Sequence, residues 1–297
     1  MSKIVEVKNL TKVFKLSQGI FGTDKTEIRA VDDVSFSITK GSTLGLVGES
    51  GSGKTTCGRL LLNLLKPDKG EVRINGINAF SKNKADVKKV RRSAQIIFQD
   101  PFDSLNPRMS IKNLLLEGVR LYKLYDKKDE DKRLKELLEL VGLVYSDRNK
   151  YPHQFSGGQR QRIAIARALS VEPEFIVCDE AVSSLDMSIR AQILNLLKDL
   201  QKELNLSYLF ISHDLPLVEY FCSRVAVMYQ GKIVEIADAK DIYNNPIHPY
   251  TKILLKAGLS PEPETRNLKI DIKSFEYKAD GKEKALVEHD EGHWVRG

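Results

Sequence analysis

The stretch "TLGLVGESGSGKTTCGRLLLNLLK" (43–66) constrains this chain more than any other. A short apolar run, a glycine-rich turn fitting G-x-x-x-x-G-K-[ST] and a segment of helical spacing follow without a gap, the order of strand, phosphate loop and helix. Gly48, Gly51 and Gly53 permit turns that a Cβ would block. The loop, with Ser50, Ser52 and Thr56 in it, then turns its N–H groups toward the phosphates of a nucleotide at the positive end of a helix. Lys54 adds a full positive charge, and the Thr55 hydroxyl can ligate Mg²⁺. The expected helix runs from Lys54 to about Lys66, where "PDKG" stops it.

The rest of the chain supplies the sheet around that loop. Up to residue 47 the pattern alternates with period two, as in "IRAVDDVSFSI", and reads as an N-terminal antiparallel β subdomain. From about 100 to 170 the apolar residues recur three and four apart, in "SIKNLLLEGVRLYKLY" and "KRLKELLELVGL", so an inserted helical subdomain is expected there. Strand "FIVC", a helix at 188–204, strand "SYLFIS", a helix from about 215 and a hairpin around Gln230 and Gly231 then alternate. This order predicts an α/β P-loop NTPase fold with a mostly parallel core sheet. Residues 1–257 read as one nucleotide-binding domain. Residues 258–297 hold 7 basic and 9 acidic residues and read as a weakly packed extension.

Composition excludes little. The 297 residues carry a net charge of +7, which suits a nucleic acid, an anionic membrane face or a nucleotide equally well. Basic runs such as Lys88, Lys89, Arg91 and Arg92 read as solvated helix faces, so no nucleic-acid partner is expected. Cys57, Cys178 and Cys222 have neither metal-ligand nor pairing spacing and read as small buried hydrophobes of a reducing compartment. No run approaches the ~18 apolar residues of a membrane span, so a soluble, cytosolic chain is expected.

Further candidates sit where strands end. Asp179, at the end of "FIVCD", is placed to hold the Mg²⁺, and Glu180 beside it is the candidate general base that polarises the attacking water. His213 follows "YLFIS", and Gln99 follows "IIF". Residue type leaves each open between a structural role and a role at the γ-phosphate, or at the metal for Gln99. "SGGQ" opens a second helix with an anion-seeking start: Ser156 caps it, Gly157 and Gly158 bare N–H groups, and Gln159 follows. On these residues alone, a plain Ser cap with a glycine hinge is the favoured reading.

Taken together, "GESGSGKTT", "SGGQ" followed by "RQR", "FIVCDE", "SSLD" and His213 resemble the nucleotide-binding subunits of ABC transporters over about residues 3–257. "FQDPFDSLNPRMSI", "YPHQFSGGQRQRIAIARAL", "NPIHPYTKILL" and the loop "SQGIFGTDKTE" are similar to the F-type ATPase subunit of the oligopeptide and dipeptide permease branch. The resemblance implies ATP and Mg²⁺ as ligands, and a head-to-tail dimer in which the Ser156 segment of one subunit closes over the nucleotide of the other. It implies that Phe14 stacks on adenine, that Asp186 links the two pockets, and that Gln99 and the helical insertion meet the membrane subunits. The implied partners are two transmembrane permease subunits, a second ATPase subunit (a related D-type or the same chain) and an extracytoplasmic substrate-binding protein. The implied place is the cytoplasmic face of the cell membrane. Members of that branch often carry a C-terminal cysteine-rich stretch for an iron–sulfur cluster; the tail has no cysteine, so no cluster is expected. His289 and His293 are expected to be solvated. The weaker alternatives are the same engine with an oligosaccharide or nickel cargo, and a soluble ABC-type ATPase acting on nucleic acid or ribosomes. Against the latter, the sequence has no long heptad insertion and no second cassette.

Overall fold

The computed structural model describes residues 2–18, 24–100, 104–259 and 285–296. β1 (Lys3–Gln18) and β2 (Asp24–Thr39) pair antiparallel, and β4 (Lys69–Ile74) and β5 (Ile77–Asn78) extend them into a four-stranded sheet, ordered β2-β1-β4-β5. The alternation reports which face is covered: Val34, Phe36 and Ile38 are buried, whereas Ser35 is exposed and Ser37 half-buried. Residues 19–23, in the loop that carries part of the family resemblance, lie outside the described residues.

The second sheet has eight strands, ordered β11-β12-β10-β9-β3-β8-β7-β6. β3 (Thr43–Val47) lies at its middle, parallel to β8 (Ser207–Ile211) on one side and β9 (Arg224–Tyr229) on the other. β7 (Phe175–Asp179) and β6 (Ala94–Ile97) continue the parallel run. β3, β7 and β8 are buried at every residue, as strands covered on both faces must be. The residues following β3, β7 and β8 therefore emerge along one edge, where open α/β sheets present ligand groups.

Helix α1 (Lys54–Leu61) is shorter than the expected run to Lys66. The chain turns out of the helix because Asn63 takes φ 53° and donates its side-chain amide to the Ala79 carbonyl at 2.8 Å, while Leu64 N–H closes back on Arg59 at 3.0 Å. A left-handed residue overrides the apolar spacing that continues past it. After α2 (Lys84–Ser93) and β6 come the helices of the insertion: α3 (Ile111–Tyr122), α4 (Glu130–Leu140) and α5 (Gly157–Leu169). Leu115, Val119, Leu134, Leu138, Ile163 and Leu169 meet in one buried cluster. Each such residue contributes about 1.5–3 kcal/mol by leaving water. A second cluster joins the four-stranded sheet to α1 and the other face of the main sheet, through Val34, Leu60, Val72, Val177 and Ile211.

α6 (Met187–Leu204) and α7 (Leu215–Phe221) cross between the later strands. β9 turns into β10 (Lys232–Asp238) through Gln230 and Gly231 at φ 44° and 82°, the two left-handed residues of a type I′ hairpin. α8 (Ala239–Asn244) and α9 (Pro249–Leu259) follow. The expectation of a weakly packed extension fails for its last residues. β11 (Leu286–Asp290) and β12 (His293–Arg296) form a hairpin that adds to the outer edge of β10. His293, expected in solvent, is 4% exposed and bonds Glu235 through Nε2 at 2.7 Å, while Arg296 Nε donates to the Ile233 carbonyl at 3.1 Å. A charged terminus packs here because a buried carboxylate and a strand edge take up its donors. His289 is exposed, as expected. Residues 260–284 lie outside the described residues.

All three cysteines are buried and unpaired, as expected; burial pushes the Cys57 thiol up to about 12. Among the described residues, no helix is long and apolar enough to cross a membrane.

Candidate functional site

The loop after β3 wraps the start of α1. Gly53 is the N-cap residue at φ 107°, and a Cβ on it would come within 2.0 Å of the Ala30 carbonyl on β2. Gly48 is as constrained, with 2.1 Å between such a Cβ and the Met228 carbonyl. No other residue type fits either place. Lys54 turns back across the loop, its Nζ donating to the Gly48 carbonyl at 2.8 Å, the Glu49 carbonyl at 2.6 Å and Ser52 Oγ at 3.3 Å. Burial lowers its pKa, opposed by the charges of Glu180, Asp179 and Glu49. An ammonium held this way sits ready for an anion.

A cavity of about 400 Å³ opens above the loop. Ser50, Gly51, Gly53, Lys54, Thr55 and Thr56 line one side and Glu180 another. Thr55 Oγ1 donates to Asp179 Oδ1 at 2.9 Å, tying the first turn of α1 to the end of β7 across the intervening β8. Glu180 takes φ 50°, an expensive conformation for a residue with a Cβ. It is pinned there by its N–H on the Ile211 carbonyl at 3.0 Å and by Ser183 Oγ on its own carbonyl at 2.8 Å. The twist carries its carboxylate over the loop, where Oε1 lies 3.3 Å from His213 Nδ1.

The second anion-seeking segment is well formed and elsewhere. Ser156 Oγ accepts from Gln159 N–H at 3.3 Å, and Gln159 Oε1 accepts from Ser156 N–H at 3.0 Å, a reciprocal capping box at the start of α5. Ser156 and Gln159 are exposed, and none of residues 156–159 is among the described residues lining the cavity. Asp186 is the exposed N-cap residue of α6, with no capping hydrogen bond from its side chain.

The sequence profile described as "ABC transporter" matches residues 31–183, half of the chain, and the one described as "Oligopeptide/dipeptide transporter, C-terminal region" matches 234–281. The chain is 48% identical to the oligopeptide transport ATP-binding protein OppF of Bacillus subtilis (strain 168), over 99% of this chain and 95% of that one. The chain belongs to the ABC transporter family. A putative peptide import ATP-binding protein of Brucella ovis is 48% identical over 89% of this chain and 81% of its own. Among solved structures, the dimeric ATP-binding cassette MJ0796, in a post-hydrolysis state bound to ADP and Pi, superposes with a TM-score of 0.67 at 31% identity. That match covers 79% of this chain and 98% of the cassette. The cbiO1 protein of Clostridium perfringens gives 0.70 at 25% identity, covering 91% of this chain and all of that one.

As an ABC transporter ATPase, the chain joins most of the expected site in one place. The loop, Thr55, Asp179, Glu180 and His213 meet. Besides residues 156–159 and Asp186, Gln99 and Phe14 stand apart. Gln99 is exposed beyond the end of β6, its carbonyl accepting from Ser184 Oγ at 3.3 Å, and is not among the described lining residues. Phe14 is 36% exposed, 5.6 Å from Lys12 Nζ, and its strand neighbour Ile28 lines the cavity instead. Arg29, Ala30, Gln230 and Gly231 also line it and carry no sequence signal for that role except the turn at Gln230–Gly231. The hairpin tip earns its place by donating Gly231 N–H to the Ser52 carbonyl at 2.9 Å.

The donor chemistry fits Mg²⁺. Thr55 Oγ1 and Asp179 Oδ1 are hard oxygens, the donor type Mg²⁺ takes. Burial raises the pKa of Asp179, with the Thr55 hydrogen bond opposing it. A carboxyl whose folded pKa is raised costs stability once pH climbs past its ordinary value, and the full cost is present above the raised one. Asp179→Asn should therefore melt higher than the parent at neutral pH without nucleotide, by on the order of 2 °C per kcal/mol relieved. Calorimetry checks this. The difference should vanish as pH falls through the carboxylate range.

Proposed function

We propose that this chain is the ATP-binding subunit of an importer of oligopeptides or dipeptides, hydrolysing ATP in a head-to-tail dimer at the cytoplasmic face of the membrane. The observation that carries this reading is the separation within one chain of two phosphate-seeking elements. The P-loop cavity has no contribution from 156–159, while those residues present an exposed helix start. Each subunit holds half a site and lends the other half to its neighbour. The peptide cargo follows from the names of the OppF and Brucella relatives.

In this reading the loop amides and Lys54 bind the β- and γ-phosphates, and Lys54 exchanges its carbonyl partners for phosphate oxygens. Thr55, Asp179 and Gln99 would hold Mg²⁺, which would supply positive charge against the phosphates. Glu180 accepts the proton of the attacking water, and His213 contacts the γ-phosphate and fixes the Glu180 carboxylate. Ser156, Gly157, Gly158 and Gln159 of the partner close the cavity, Asp186 joins the two pockets, and Phe14 covers the adenine. One permease subunit docks on each ATPase, on this chain in a groove of about 800 Å³ between β6 and the insertion, lined by Ile96, Met109, Leu114, Arg120 and Arg167. An extracytoplasmic binding protein delivers the peptide, and the second ATPase is a related D-type subunit or a second copy.

Ser156→Arg tests the shared site. A bulky cation at the exposed helix start should leave ATP affinity of the single chain within about twofold and reduce ATP-driven dimerisation at least about tenfold, the effect of ~1.4 kcal/mol or more. Light scattering with ATP in a hydrolysis-deficient background reads this. Undiminished dimerisation in the variant would remove the head-to-tail arrangement.

A further inference from the structure

A buried polar chain runs from the P-loop to the far end of the protein, and the mechanism above uses none of it. Tyr250, on α9, is fully buried, and its hydroxyl accepts from the Glu49 N–H at 3.1 Å across 201 residues of sequence. Glu49 is the second residue of the phosphate loop. The Tyr250 ring lies 4.3 Å, centroid to centroid, from Tyr229, next to the hairpin tip that bonds the Ser52 carbonyl. One side chain thus supports the loop from two directions. Burial pushes the phenol up to about 12, so it remains a neutral hydroxyl.

What holds Tyr250 leads away from the site. Its N–H donates to His248 Nδ1 at 3.1 Å. The N–H groups of Ile247 and His248 donate to the two oxygens of Glu235, at 2.8 and 3.0 Å. Glu235 has no exposed surface, and a carboxyl in such a place requires every partner it has. Its remaining partner comes from the C-terminal hairpin: His293 Nε2 at 2.7 Å. His293 is buried on β12, so this contact forms only when the hairpin is docked.

We propose that Tyr250 is a positioning residue for the phosphate loop, and that Glu235 makes its placement depend on the docked C-terminal hairpin. The loop binds phosphate through backbone groups whose directions have to be set in advance, and an anchor on the Glu49 N–H fixes the loop from which those groups project. The hairpin is then an input to nucleotide affinity, since its loss takes a partner from Glu235, loosens the 247–248 turn and relaxes the start of α9. The proposal rests on the reading of this loop as the ATP site.

The test uses the full chain and a fluorescent ATP analogue with Mg²⁺. Tyr250→Phe keeps the ring against Tyr229 and deletes the hydroxyl; the expected result is about five- to tenfold weaker binding, the worth of one hydrogen bond. Hydrogen exchange should rise at Glu49 and stay unchanged in the buried helices, a pattern that general loosening does not give. His293→Ala should weaken binding about threefold, and the double variant should lose less than the product of the single losses, because both act through Tyr250. An unchanged affinity in Tyr250→Phe overturns the positioning role, and multiplicative losses in the double variant overturn the link to the hairpin. Failure of the unaltered chain to bind the analogue would overturn the ATP reading itself.

Discussion

Replacing Glu180 with glutamine should slow ATP turnover by about 10²–10⁴-fold, the usual contribution of a general base, while ATP remains bound. The geometry makes the substitution specific. Glu180 keeps its φ of 50° through backbone contacts to Ile211 and Ser183, which a glutamine retains, and its contact to His213 at 3.3 Å is one an amide can also make. What the amide cannot do is accept a proton from water. Phosphate release measures the loss, and gel filtration with ATP should show a persistent dimer, since closure is intact and cleavage is not. A variant hydrolysing at the parental rate would strike Glu180 from the mechanism.

Lys54→Ala acts one step earlier, on binding. The ammonium is held by two carbonyls and Ser52 Oγ, with its charge disfavoured by burial. A phosphate offers it a full counter-charge in place of dipoles. Losing one partner of such a buried pair costs roughly 2–5 kcal/mol, so ATP affinity should fall at least about 30-fold. Equilibrium titration with a labelled nucleotide decides it: parental affinity in the variant contradicts the contact. The two variants separate the functions, because Glu180→Gln keeps affinity and loses turnover while Lys54→Ala loses affinity first.

Local signals carried much of this. The loop from Gly48 to Thr56, the strands ending at Asp179 and before His213, and the Gln230–Gly231 turn are each written in neighbouring residues, where glycine position and apolar runs act directly on the backbone. The helix after the loop was legible at its start and not at its end, because Asn63 answers to the Ala79 carbonyl, a partner brought by tertiary structure. The C-terminal hairpin was hidden for the same reason. His293 reads as solvated, and Arg296 as part of a weakly packed extension, until β10 provides Glu235 and the Ile233 carbonyl. Arg29 and Ala30 reach the nucleotide cavity only because β2 passes over the loop, and the contact of Tyr250 with Glu49 spans most of the chain. Pairings at such range leave no trace in spacing.

The pairing of β12 with β10 also bears on how the protein is made. β10 borders the main sheet, and its outward backbone groups at Glu235 and Ile236 are covered by residues 294 and 295. At roughly 5–20 residues per second, a ribosome leaves that border bare for seconds after β10 has been synthesised. An open strand of this kind, with Ile233, Val234 and Ile236 in it, is a template for intermolecular pairing between nascent chains. A hairpin made about fifty residues after β10 thus closes the border that β10 would otherwise offer to another chain.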